Sequence, residues 1–169
     1  MAGNKYIAMI AGLFTEVAAI QSSAGAGDAG KIPAVDAAGK LDSSFMPTGI
    51  TADTAAIATS ESLAAGDLVN VFNSTGAKVR KADASASGKE AHGFVLAVFT
   101  HPTTATVYFE GSNTQVTGLT PGVQFLDPAN PGKSTNTAPT TAGQVVQRVG
   151  FATAAAVLNF QSEVPVLLA

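Results

Sequence analysis

Residues 28–50, DAGKIPAVDAAGKLDSSFMPTGI, constrain this chain more than any other stretch, because they are rich in turn chemistry and have little to bury. A basic step at Gly30-Lys31 runs into Ile32-Pro33 and Val35-Asp36. A tight turn at Ala38-Gly39 then runs into Lys40-Leu41-Asp42, a polar Ser43-Ser44 and Phe45-Met46-Pro47. Each half carries a lysine, an aliphatic residue and an aspartate, and the halves flank a glycine suited to positive φ. So few apolar side chains cannot offset the entropy of ordering the segment, so it is expected to lie along another surface.

The residues before it are ambiguous by period. Ile7, Ile10, Phe14 and Val17 would share one face of a helix, and the alanines favour one. Against this stand Gly12 in the middle and the flanks Tyr6-Ile7 and Phe14-Thr15, which suit strands. Ser22–Gly30 reads as a flexible linker by composition. Lys5, the apolar run 6–14 and Ala24-Gly25-Ala26 imitate a secretory signal, but Glu16 closes the run early, and no cleaved leader is expected. The run is also shorter than the roughly 20 residues a membrane helix needs.

From about residue 54 short β-prone runs alternate with Gly, Pro, Asn and Asp, the pattern of an all-β sandwich or barrel. The runs are 56–60, 67–72, 78–81, 93–99, 105–110, 115–116, 123–126, 145–152, 156–160 and 164–168. Ala65-Gly66-Asp67, Ser74-Thr75-Gly76 and Thr120-Pro121-Gly122 supply turns. Val69 and Val71 face away from Leu68 and Phe72, and Val145, Gln147 and Val149 face away from Val146 and Arg148. Val157 and Phe160 are expected to continue the core. The 93–99 run is apolar on both faces and is expected to be a central strand. Asp127–Gly143, a long stretch without an apolar run, is expected to rest on a neighbour.

The run AGKIPAVDAAGKLDSSFMP resembles the GKI-x-x-LD-x-x-GKLD-x-S-x-x-P connector of tailed-bacteriophage virion proteins: head decoration (cement) proteins, head fibres and some tail fibres. Residues 5–17, KYIAMIAGLFTEV, are similar to that family's opening hairpin, with Ala11-Gly12 where Asn-Gly is usual. The stretch from Gly118 to Phe160 resembles the closing half of phage decoration-type β-domains. The resemblance implies a hairpin turning at Ala11-Gly12. The fold class expected is then all-β: a compact β-sandwich or barrel (51–169) with an extended N-terminal arm of hairpin plus connector (1–50).

Composition limits the chemistry. Charged residues make up only 12% of the chain and hydrophobic ones 46%, well below the charge of about 25% usual in globular proteins. A surface so weakly charged suits a protein packed against copies of itself or a larger body. The net charge of −3 gives no footprint for nucleic acid, and the absence of cysteine removes disulfides and thiolate metal sites. Lys78, Arg80 and Lys81 read as a solvated strand face. His92 and His101 have no metal-ligand spacing, although Glu90 is placed to pair with His92. Asp83, Glu90 and Glu110 are the carboxylates that strand pairing could bring together as a glycosidase couple, but aromatic platforms are scarce: two Tyr and no Trp. Asn73-Ser74-Thr75 spells a glycosylation sequon and fits a plain turn better. No nucleophile elbow or phosphate loop occurs. The chain is therefore read as a non-enzyme with no catalytic, cofactor or metal site.

The expected function is that of a virion structural protein decorating and stabilising the outer capsid surface. The resemblance implies a homotrimer and contact with the major capsid protein, with no nucleic acid or membrane partner. The contact residues expected are Tyr6, Ile10, Phe14, Ile32, Val35, Leu41, Phe45 and Met46. A tail-fibre or tail-tip module and a host-surface carbohydrate-binding β-sandwich are the alternatives.

Overall fold

The computed structural model describes residues 5–46 and 52–169. The protein is all-β and divides into two compact units, Met1–Thr51 and Ala52–Ala169. The boundary expected after residue 50, like Pro47 of the connector, lies outside the described residues.

The first unit opens with β1 (Lys5–Ile10) and β2 (Leu13–Ala18), antiparallel in continuous register from Lys5 opposite Ala18 to Ile10 opposite Leu13. Ala11 and Gly12 turn the chain at φ 51° and 81°. Two positive φ values define the turn whose twist matches that of paired strands, so the hairpin prevails over the helical spacing. The 22–30 stretch, expected to be a flexible linker, is instead a closed loop around a 3-10 turn at Ala26–Asp28. The Asp28 carboxylate accepts from Ala24 N at 2.6 Å and from Lys31 Nζ at 2.6 Å, joining the two ends of the loop.

In the second unit, β3 (Thr54–Thr59), β4 (Leu68–Asn73), β5 (Ala77–Lys81), β6 (Gly93–Phe94) and β7 (Thr104–Tyr108) close a barrel in the order β3-β5-β4-β6-β7. The described residues beyond it add β8 (Gly111–Asn113), β9 (Gly122–Leu126), β10 (Ser134–Thr135), β11 (Val145–Val146), β12 (Arg148–Ala154), β13 (Val157–Phe160) and β14 (Val166–Leu167). Five of these form a sheet in the order β10-β9-β12-β13-β8, and β11 pairs with β14. Barrel and sandwich, left open by the sequence, thus both occur: one wall of the barrel packs on the second sheet.

Two apolar clusters follow from strand alternation. Ile57, Val69, Val79, Val95 and Val107 fill the barrel. Leu68 and Phe94 point out of it, onto Leu126, Val149, Leu158 and Phe160 of the second sheet. The reading of 93–99 as central holds for its first residues, since Phe94 and Val95 serve opposite clusters. It fails beyond them: Ala97 and Val98 are exposed, and the chain turns before Phe99 bridges Leu63. The 115–116 run is not a strand; the ladder forms at β8, where Asn113 opposes Leu158. Leu158, not Val157, joins Phe160 inside, because alternation puts 158 and 160 on the same face.

The 127–143 loop, expected on a neighbour, is tied to its own barrel. Leu68 N donates to Gly132 O at 2.8 Å, and Gly132 N donates to Ala82 O at 2.7 Å. Lys133 Nζ lies 2.6 Å from Asp67, a carboxylate only 1% exposed. A buried charge needs a partner, and the loop supplies it.

Buried amides hold other loops in place. Gln147, 1% exposed, accepts from Ala91 N at 2.7 Å and donates to Ala91 O at 2.9 Å, as a neighbouring strand would. Replacing it with leucine leaves Ala91 N unpaired in the interior, at roughly 1–3 kcal/mol, whereas Ala91 O keeps the Ser162 hydroxyl at 2.9 Å. Gln147→Leu is therefore expected to lower the unfolding free energy by about 1–3 kcal/mol in a denaturant titration, with the native fold retained.

Candidate interaction surface

The connector owes its shape to three aspartates, each closing a turn. Asp28 acts as described. Asp36 Oδ1 accepts from Ala38 N at 2.8 Å and Lys40 N at 2.9 Å, while Gly39 takes φ 73°. Asp42 caps the 3-10 turn Ser43–Phe45, accepting from Ser44 N at 2.9 Å. The repeated order of Asp, Gly and Lys is thus a repeated turn, in which a carboxylate collects amides and glycine takes the left-handed residue.

The surface along which the connector lies is the chain just after the hairpin. Ile20 N donates to Ile32 O at 3.0 Å, and Ala34 N donates to Ile20 O at 2.8 Å. Gln21 Nε2 reaches Val35 O at 3.1 Å, and Ser23 N reaches Ser44 Oγ at 2.7 Å. These bonds tie the connector to the chain after the hairpin through polar groups, while Ile32, Val35, Leu41 and Met46 stay exposed.

Of the expected contact residues, Ile10, Phe14, Ile32, Val35, Leu41 and Met46 are exposed, and Tyr6 and Phe45 are half-buried. The hairpin register separates the first three. Tyr6 and Ile10 share one face, opposite Val17 and Leu13, whereas Phe14 lies on the other face, opposite Met9. Spacing of four, as in 6, 10 and 14, keeps one face in a helix but not across a turn at 11–12. Sequence reasoning missed Ile7, Met9 and Leu13, all exposed. Strict alternation about the Ala11-Gly12 turn was the signal that could have found them.

The polar candidates are committed elsewhere. His92 Nδ1 accepts from Val71 N at 3.1 Å, so its neutral ring carries the proton on Nε2. His101 Nδ1 sits 3.1 Å from Thr59 O, which places its proton on Nδ1. Glu90 accepts from Gly88 N at 2.9 Å instead of pairing with His92. Asp83 faces Lys89 at 3.5 Å and Ser85 N at 2.7 Å, and Glu110 is exposed. The basic strand face is not free: Arg80 lies over the Phe72 ring at 4.3 Å and binds Asn70 Oδ1 at 3.0 Å. Asn73-Ser74-Thr75 is the turn between β4 and β5, with Gly76 N on Asn73 Oδ1 at 3.1 Å. Among the described residues, no three His, Cys, Asp or Glu side chains converge and no helix is long and apolar enough to cross a membrane.

A cleft of about 380 Å³ opens in the second unit between Leu68, Leu119 and Leu158 on one side and Asp127, Asn130 and Lys133 on the other. Its charged groups are already paired, Lys133 with Asp67 and Asp127 with Asn130 and the amide of Ala129. Among the described residues, nine of the fifteen exposed large apolar side chains lie in the first, smaller unit; the others, Val98, Val123, Phe151, Val164, Val166 and Leu167, lie in the second. No protein-family model matches the chain, and no curated protein or solved structure matches it.

Two predictions concern this surface. Ala11 occupies a left-handed conformation that costs an L-residue about 1–2 kcal/mol, and asparagine tolerates it better. Ala11→Asn is expected to slow amide exchange at Ile10 and Leu13 several-fold. Secondly, the bond from Lys31, then that from Ala24, holds the Asp28 pKa below the ordinary carboxylate value, and the Ser44 bonds do the same for Asp42. A lowered folded-state pKa means that the turns are fully supported above the ordinary value of about 4 and lose support as pH falls through the lower one. The amide resonances of Ala24 and Ser44 should titrate with midpoints below 4; midpoints at or above it would remove these carboxylates from the turns.

Proposed function

We propose that the protein is a structural component of a tailed-bacteriophage virion: a decoration protein that attaches to the outer capsid surface through its first unit and reinforces the shell. Its partners on this reading are the major capsid protein and further copies of itself, working as a trimer. The observation that carries the proposal is the exposure of Ile10, Phe14, Ile32, Val35, Leu41 and Met46 on a unit whose turns are otherwise internally satisfied. Apolar groups on so weakly charged a chain gain by being covered. Repetition over a symmetric shell turns modest contacts into firm attachment, and hairpin strands can extend a neighbour's sheet.

The second unit suits a self-contained knob. Its two clusters draw only on residues of that unit, so removal of the arm leaves both intact. The reading requires no catalytic, cofactor or metal site.

Fractionation of virions into heads and tails tests the proposal. The protein is expected with the heads, in the high copy number of an icosahedral lattice; recovery with tails alone would favour a fibre or tail-tip module instead. Added to heads that lack it, the full chain should bind, and a variant deleted for residues 1–50 should not, although its β-domain unfolds cooperatively. Equal binding by the truncated protein would move the contact off the first unit.

A further inference from the structure

We propose that the cleft of the second unit is a binding site for a short, uncharged sugar. Protein interiors close-pack, so an opening of about 380 Å³ persists only where its walls are held apart. The tripeptide Gly66-Asp67-Leu68 holds both walls. On one side, the Gly66 carbonyl accepts from Asn113 Nδ2 at 3.0 Å, and Asn113 Oδ1 accepts from Gln115 N at 3.1 Å. Glycine is required there, since a Cβ on residue 66 would collide with the Gln115 carbonyl. On the other side, Asp67 takes Lys133 at 2.6 Å, and Leu68 N donates to Gly132 O at 2.8 Å. The walls are therefore fixed before any ligand arrives, which spares it the cost of ordering them.

Three features select the ligand. The first is charge. Lys133 is neutralised by Asp67, and Asp127 is spent on Asn130 and the amide of Ala129, so an ionic ligand finds no unpaired charge to meet. The second is the division of the lining. Leu68 and Leu158 are buried in the floor, and Val116 and Leu119 pack half-buried beside them. Across from these, Asn130 gives an amide N–H to Asp127 and keeps Oδ1 to accept. The Ser134 hydroxyl donates to Gln124 Oε1 at 3.3 Å and keeps its oxygen to accept. Gln115 and Thr117 are exposed in the lining, and their side chains have no partner among the described residues. Together these groups donate and accept, which is what sugar hydroxyls need, and the aliphatic floor suits the C–H face of a ring.

The third feature is how the cleft continues. Leu119, Asp127 and Ser134 also line a recess of about 170 Å³, whose other side chains, from Thr120, Gln124, Thr135 and Asn136, are all polar. An acyl tail or an aliphatic side chain would strand those groups without partners, whereas further hydroxyls would satisfy them. No aromatic ring lines either space, so the sugar is held without stacking and binds weakly, with a dissociation constant on the order of 1 mM. The inference goes beyond the virion reading and is independent of it, because binding is measured on the purified chain with no capsid.

The test is a titration of the isotope-labelled full chain, followed through its amide resonances, with maltose, cellobiose, lactose and chitobiose. At least one of these disaccharides is expected to give saturable shifts centred on Gln115, Thr117, Asn130 and Ser134. Gln115→Ala with Thr117→Val removes groups that hold nothing else in place. The double variant should keep the denaturation midpoint of the parent and bind about tenfold more weakly. Adenosine monophosphate and tetra-alanine are the anionic and peptide probes, and both are expected to leave these resonances unmoved. Silence of the cleft resonances towards every disaccharide, a larger response to either of the other probes, or undiminished binding by the double variant would each overturn the proposal.

Discussion

The β-domain depends on the apolar layer that the barrel and the second sheet share. Phe94 sits at its centre, its ring stacked on Tyr108 at 5.4 Å and edge-on to Phe160 at 5.6 Å. It also lies at the narrowest seam of the barrel, where β6 meets β7 through the single pair Phe94–Tyr108. That seam closes only because residue 93 is glycine: a Cβ there would stand 2.5 Å from the Tyr108 carbonyl oxygen. Close backbone approach and aromatic packing are therefore one device. The glycine lets the strands meet, and the ring beside it fixes the second sheet against the barrel.

Around that layer, most buried polar groups of the β-domain are satisfied from within, Arg148 Nε being the exception among the described residues. Gln147 serves Ala91, Asn113 serves Gly66 at 3.0 Å, and Asn70 joins Glu90 O at 2.8 Å to Arg80. Asp67 is buried with Lys133 and pins a loop that length alone would leave loose. A domain so internally paired has little reason to change shape on meeting a partner. The first unit divides its groups differently. Its aspartates and amides meet each other, and its aliphatic and aromatic side chains face out. The division suits a folded knob with an adhesive leader, and it gives the two units separate roles in the proposed assembly.

Much of the fold was legible because strand alternation and turn chemistry are local. The barrel strands lie within a few residues of the β-prone runs, and the β4–β5 hairpin turns at Ser-Thr-Gly, with Gly76 taking the positive φ that glycine favours. What was misread depended on distant partners. The 93–99 run looks uniformly strand-like, yet only its start finds neighbours on both sides. The 127–143 loop looks unanchored, because its anchor is a carboxylate sixty-six residues away in the chain. For the proposed contact surface, six of the eight residues read from the sequence are exposed. The pairing of Phe14 with Met9, and hence the presence of two faces, needed the register.

The sequence by itself determined that this is a β-protein, weakly charged and without cysteine, with an Asp-Gly-Lys connector built of turns and an apolar leader. Those properties reside in composition and in contacts between near neighbours. Only the tertiary structure decided that a barrel and a sheet share one core, that buried amides and Asp67 staple the long loops, and that the leader is apolar on both sides. Each of these rests on groups far apart in the chain, whose meeting is set by packing and by the need to pair every buried polar atom, and no local pattern encodes that.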